Sequence, residues 1–260
     1  MNNSPIGVYD SGFGGLSVWR ELYRALPNES LIYLGDGKNC PYGSLSESEI
    51  RHLAEESVKV LLDRGCKLIV VACNTATSAA IEYLREQFSD IPFVGLEPAI
   101  KPACLTTKTG VVGVVATERS LAGEKFLTTL AKYGNGVNVV KSIGRGFVEA
   151  VENDEEDSKP TEEIVRSVIE PIIAEGADII VLGCTHYPFL RGAIQRVVDG
   201  RDVLIIDSGE AVEKRVESLL DKYDLRADGT HQSEYDFLTF ADDEYRQRLE
   251  QKAWNIVKIL

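Results

Sequence analysis

The chain has 260 residues, 44% hydrophobic and 27% charged, an ordinary globular composition that excludes a disordered or collagen-like chain. Its 41 acidic residues against 28 lysines and arginines give a net charge of −13, which argues against general nucleic-acid binding and against anionic membrane surfaces. The longest apolar runs, such as Leu68–Cys73 and Ile179–Gly183, fall far short of the ~20 residues of a spanning helix, and the start MNNSPIGVYD lacks the basic and apolar regions of a signal peptide.

Short apolar runs alternate with amphipathic stretches. Ile6–Tyr9 reads as a strand, and Leu16, Trp19, Leu22, Tyr23 and Leu26 then recur at helical spacing. Leu31–Leu34 reads as a second strand. Ser46 and Glu49 form a capping-box signature for a helix that should stop at Gly65. Lys67–Ala72 is a β-branched run that looks buried on both faces, followed by a helix from about Thr75 to Phe88 and a short strand, Phe93–Gly95. The pattern then restarts. Val111–Val115 is a strand, Ser120–Tyr133 a helix, Val137–Lys141 a strand and Thr161–Ala174 a helix in which Pro171 should kink the last turn. Asp178–Leu182 and Val203–Ile206 are strands, and a helix continues to about Leu220. In the tail, Tyr235–Phe240 reads as a strand and Asp242–Lys252 as a helix.

This alternation predicts an α/β fold with mainly parallel sheets flanked by helices. Ligands in such folds bind beyond the carboxyl ends of the strands. Leu68-Ile-Val-Val-Ala-Cys-Asn-Thr and Ile179-Ile-Val-Leu-Gly-Cys-Thr-His match in kind, as do Gly7-Val-Tyr-Asp and Gly113-Val-Val-Ala at a nearly equal offset. Two similar lobes with the active site in the cleft between them would account for both matches.

The five cysteines are odd in number and lack a CxxC pair, which fits a reducing compartment better than a disulfide framework. Cys66 and Cys104 read as packed hydrophobes. Cys73 and Cys184 each follow a buried strand and open a helix, where free N–H groups and the helix dipole favour a thiolate. Zinc has two plausible ligands in Cys184 and His186 but no complete set at recognisable spacing, so no metal site is expected. A thiol hydrolase with His186 as base would leave Cys73 without a role. The rival from another class is a nicotinamide enzyme. It would use the glycine turn Ser11–Gly15 with Asp36 as the ribose acid, but Asp10 would set a charge close to the pyrophosphate. Alternatively, Asp10 is an ordinary helix N-cap. Asn74, Thr75, Thr185, Ser11 and Gly43 fall in turns after strands and together offer donors for a carboxylate. Glu152 opens an acidic run to Asp157, and such runs are usually solvated loops.

Taken together, Asp10-Ser-Gly-Phe-Gly-Gly15, Pro41-Tyr42-Gly43, Ala72-Cys-Asn-Thr-Ala-Thr77, Gly95-Leu-Glu-Pro98 and Gly183-Cys-Thr-His-Tyr-Pro188 resemble the glutamate racemases, in the same order and over residues 6–208. The resemblance implies cofactor-independent inversion of glutamate at Cα, with Cys73 and Cys184 as the two acid/base residues. Asp10 would assist Cys73, while Glu152 and His186 would lie beside Cys184. Asp10, Ser11, Tyr42, Gly43, Asn74, Thr75, Thr185 and His186 match the family's substrate contacts. It further implies a first lobe of residues 1–97 plus 208–260, a second of 98–207, a role in supplying D-glutamate for peptidoglycan, and a bacterial cytoplasm. The implied partner is a small molecule, glutamate, with no nucleic acid and no membrane; a homodimer stays open. Between Asp36 and Pro41 the chain has Gly-Lys-Asn-Cys, where the family usually shows Thr-Ala-Arg and an apolar residue, and the tail after Lys222 carries no family motif.

Overall fold

The computed structural model describes residues 1–258. The chain divides into two compact units, Met1–Leu96 with Gly209–Leu260, and Glu97–Ser208. Glu97 and Ser208 both fall in the second unit, where the Ser208 hydroxyl donates to the Glu97 carbonyl at 2.6 Å and ties the ends of the inserted segment together.

In the first unit, β1 (Ile6–Asp10), α1 (Leu16–Ala25), β2 (Leu31–Gly35), α2 (Glu47–Asp63), β3 (Leu68–Val71), α3 (Asn74–Gln87) and β4 (Phe93–Gly95) follow in turn. The second unit runs through α4 (Ile100–Thr106), β5 (Val111–Ala116), α5 (Glu118–Ala122), α6 (Glu124–Tyr133), β6 (Asn138–Ile143), α7 (Phe147–Glu152), α8 (Lys159–Ala174), β7 (Ile179–Gly183), α9 (Arg191–Val197) and β8 (Leu204–Ile206). The chain then returns to the first unit with α10 (Gly209–Lys222), β9 (Tyr235–Thr239) and α11 (Asp243–Lys258).

The first sheet has the order β4-β3-β1-β2-β9 and the second β6-β5-β7-β8, and every pairing is parallel. Within the first, β2-β1-β3-β4 repeats the order of the second, so β1 corresponds to β5 and β3 to β7. Every residue of β1, β2 and β3 is buried, as a parallel sheet covered on both faces requires. On one face α2 and α3 pack over Tyr9, Leu34, Ile69 and Val71. On the other, α1 meets α10 and α11, with Trp19 stacked on Tyr23 and edge-on to Trp254 and Tyr235. The second sheet divides its side chains by strand alternation. Val115, Ile180 and Leu182 pack with α7, α8 and α9, while Val112, Val114, Ile179 and Val181 pack with α4 and α6.

Local chemistry sets the element ends. The Ser46 hydroxyl accepts the Glu49 N–H at 3.3 Å and the Glu49 carboxylate accepts the Ser46 N–H at 2.8 Å, completing the capping box of α2. Gly65 follows its end at φ +79°, a conformation open to glycine at no steric cost. The single helix expected over 120–133 is instead two, α5 and α6, because Gly123 is extended (φ −66°, ψ 141°). The short helices α4, α7 and α9 add to the sequence expectation.

Candidate active site

In the order β4-β3-β1-β2, the chain leaves β1 toward β2 and β3 toward β4, so the turns after β1 and β3 diverge and open a crevice at their carboxyl ends. Asp10 is the last residue of β1 and Ser11 follows it. Asp10 is fully buried, and its Oδ1 accepts the Gly12 N–H at 2.8 Å. It therefore pins the glycine turn and does not cap α1, whose N-cap is Gly15. From the other side the Tyr33 hydroxyl donates to the Gly12 carbonyl at 2.7 Å. A side chain at Gly15 would meet the Asp10 Cβ at 2.6 Å, so glycine is required there by close approach. Because Asp10 engages the Gly12 amide, the turn is poorly suited to a pyrophosphate, which weakens the dinucleotide alternative.

Cys73 caps α3: its sulfur accepts the Ala76 N–H at 3.4 Å and lies 3.7 Å from the Ser11 hydroxyl. The first sheet thus brings Asp10, Ser11 and Cys73 to one place. Asn74 and Thr75 open α3 and are buried. The Asn74 Nδ2 has no hydrogen-bond partner among the described residues, an orphan buried donor on the residue that follows Cys73.

Asp36, just after β2, is also fully buried. It accepts the Tyr42 hydroxyl at 2.6 Å, and each of its oxygens lies 3.0 Å from the Asn39 Nδ2. The Tyr42 hydroxyl in turn accepts the Tyr9 hydroxyl at 2.9 Å. Burial, joined by the nearby Cys73 charge for Tyr9 and by the Tyr9 phenol for Tyr42, holds both phenols well above their ordinary pKa, so both stay protonated donors. The Tyr42 side chain is therefore a core anchor. Its turn, Tyr42–Ser44, presents Gly43 to open space, and the amides of Tyr42 and Gly43 donate to no protein acceptor among the described residues. Asp36 is fully buried and already engaged at both oxygens, which leaves it ill placed to receive a ribose.

In the second unit Cys184 directly follows β7, the position corresponding to the end of β3. Its sulfur is 3.8 Å from His186 Nδ1, and His186 Nε2 is 2.6 Å from Glu152 Oε1. Cys184, Thr185 and His186 are buried. An ionised Glu152 only accepts, so Nε2 carries a proton and Nδ1 is left to exchange one with the Cys184 thiol. Glu152 is the last residue of α7, and its side chain is 16% exposed, whereas Asn153, Asp154 and Glu155 are exposed. The helix turns Glu152 inward at the start of an acidic run that is mostly exposed.

Cys66 and Cys104 lie apart from this chemistry and are buried. Burial pushes the Cys66 thiol up to about 12 and raises that of Cys104. All five are free thiols. Tyr9 is the residue that sequence reasoning passed over. Its signal is a hydroxyl that follows the apolar run Ile6–Val8 in a buried strand, a group that must find a partner when buried.

The model of the Asp/Glu/Hydantoin racemase family matches residues 10–215. The chain is 49% identical over 251 residues to the glutamate racemase of Herpetosiphon aurantiacus, covering 96% of this chain and 98% of that one. It is 43% identical over 247 residues to that of Deinococcus radiodurans, covering 94% and 84%. Among solved structures, a glutamate racemase isoform from Bacillus anthracis superposes with a TM-score of 0.85 at 32% identity, covering 98% of this chain and 95% of that one. Escherichia coli glutamate racemase, solved with L-glutamate and the activator UDP-MurNAc-ala, gives 0.85 at 30% identity, covering 96% and 95%. A fold, a buried pair of polar-partnered cysteines and relatives of this similarity converge, and the chain belongs to the Asp/Glu/Hydantoin racemase family.

Proposed function

We propose that this chain interconverts L- and D-glutamate without a cofactor, using Cys73 and Cys184 as its two acid/base groups. One observation carries the reading: the two cysteines stand just beyond corresponding strands of two sheets with the same order, each with a polar group at its sulfur. The names of the relatives support glutamate as substrate, as do two solved relatives, that of Escherichia coli with L-glutamate and that of Francisella tularensis with D-glutamate.

Racemisation removes the Cα proton from one face and delivers another to the opposite face. One sulfur starts as thiolate and takes the proton. The other starts as thiol and gives its own, and the reverse reaction exchanges the roles. The Cα–H bond is weakly acidic, so charge developing on the α-carboxylate must meet fixed donors. The amides of Tyr42 and Gly43, the Asn74 side chain, and the groups of Ser11, Thr75 and Thr185 are the candidates. At Cys184 the His186 imidazole, oriented by Glu152, can hold the thiol proton and return it. At Cys73 the helix N-terminus favours the thiolate, while Asp10 serves either as proton partner or as anchor for the substrate ammonium.

On this reading the product D-glutamate serves peptidoglycan synthesis, and a reducing cytoplasm keeps both thiols free. The test is optical: purified protein and L-glutamate in heavy water, with no added cofactor, followed by circular dichroism and mass spectrometry. The signal should decay to the racemate with deuterium at Cα of the product enantiomer. A constant signal would remove the activity, and inversion without label would remove the exchangeable thiols.

A further inference from the structure

Tyr9 lies in β1, the middle strand of its sheet, and is fully buried. A phenol in such a place is costly unless its hydroxyl is bonded. Its partner is 33 residues away in sequence, the Tyr42 hydroxyl at 2.9 Å, with the rings 6.4 Å apart. The bonds have a fixed polarity. Asp36, held at both oxygens by Asn39, accepts; Tyr42 therefore donates to Asp36, and the Tyr42 oxygen receives the Tyr9 proton. Tyr9 lies in β1 and Asp36 directly follows the neighbouring β2, the pairing running Tyr9 to Leu34 and Asp10 to Gly35. The Tyr42 hydroxyl is thus held at once from β1 and from the residue that follows β2.

That grip sits beneath a turn with few local restraints. Gly43 meets nothing on its side-chain side, and the Leu45 N–H closes the turn on the Tyr42 carbonyl at 3.1 Å. We propose that Tyr9 is a positioning residue for this enzyme: with Asp36 it fixes the Tyr42 ring and thereby the two unpartnered amides of Tyr42 and Gly43 that bind the substrate carboxylate. This rests on the function proposed above. Tyr9 touches no reacting atom in this role; it sets the register of a backbone donor pair. Its effect therefore belongs to substrate binding and not to proton transfer.

The experiment compares wild type, Tyr9→Phe, Asp36→Asn and the double variant on L-glutamate, with Tm measured alongside. Phenylalanine keeps the ring and removes only the donor. KM should rise roughly fivefold in Tyr9→Phe, the loss expected from one buried hydrogen bond, with kcat within about twofold of wild type. Asp36→Asn should move KM the same way, and the double variant should be no worse than the more affected single, because both act through Tyr42. Tyr9→Phe with wild-type KM, at any Tm, overturns the proposal, as does a loss confined to kcat. Should Tyr9→Phe fail to fold, a wild-type KM in Asp36→Asn overturns it equally. Wild-type protein that never inverts glutamate overturns the function and the positioning role together, whereas an active wild type with an indifferent Tyr9→Phe removes the positioning role alone.

Discussion

The two sulfurs have different surroundings, and the difference predicts different sensitivities. Cys73 meets a hydroxyl and a helix N-terminus, whereas Cys184 meets an imidazole backed by a carboxylate. If each serves one face of Cα, Cys73→Ala and Cys184→Ala should each lower racemisation by about a thousandfold or more, since a positioned acid/base contributes roughly 10²–10⁴ and neither face has a substitute. Retained activity in either variant would end the two-base account. Glu152→Gln is subtler. It leaves His186 a neutral amide acceptor in place of the charged carboxylate that stabilises its protonated form, so only the Cys184 half-reaction is impaired. The equilibrium constant of a racemisation is one, so kcat/KM must fall by the same factor, roughly tenfold, from either enantiomer. The asymmetry shows in isotope effects. With Cα-deuterated substrate, the primary effect should grow for the enantiomer whose proton Cys184 takes. Unchanged rates and isotope effects would mean that the 2.6 Å contact of His186 with Glu152 has no part in transfer.

At the scale of elements, the strands and long helices were legible because their signals are local. β-branched runs mark β3 and β7, the Ser46–Glu49 box marks α2, and the two cysteines stand out by their matched contexts. The short helices were hidden because six or seven residues give less than two turns of periodicity. That also hid Glu152, since α7 is what separates it from its acidic neighbours. The Tyr9–Tyr42–Asp36 chain was invisible because it joins residues that only the sheet brings together. The same holds for Lys67 and Glu29, at the opposite end of β3 from Cys73. Their ends meet at 2.6 Å with side chains 2% and 5% exposed, and Glu29 also accepts the Ala227 N–H at 2.9 Å. Breaking such a pair leaves a buried charge uncompensated, so Lys67→Met should cost about 3–5 kcal/mol in urea unfolding. Adding Glu29→Gln should restore part of it. Because this pair is remote from Cys73, kcat below the unfolding transition should stay at the wild-type value; a kcat loss at unchanged stability would contradict a purely structural role.

At the scale of the molecule, one α/β unit is inserted into another that repeats its strand order. The inserted unit, Glu97–Ser208, is continuous in sequence and closes on itself through Ser208 and Glu97. It owns a four-stranded sheet with packed side chains on both faces. The host unit depends on the returning segment. β9 completes its sheet beside β2, pairing Leu31 with Tyr235, and Trp254 of α11 packs edge-on against Trp19. The units should therefore differ in autonomy. A fragment of residues 97–208 should give an α/β circular dichroism spectrum and a sigmoidal urea transition. The chain cut after Ser208 should expose Trp19 and a bare β2 edge, and it should aggregate. Both tryptophans of the sequence lie in the host unit, so tryptophan fluorescence of the intact chain reports that unit alone, while far-ultraviolet dichroism reports both. The fragment must therefore be followed by dichroism. A gradual, linear loss of its signal with urea would mean that the insert borrows its order from the host, and that the repeated strand order does not mark a self-sufficient fold.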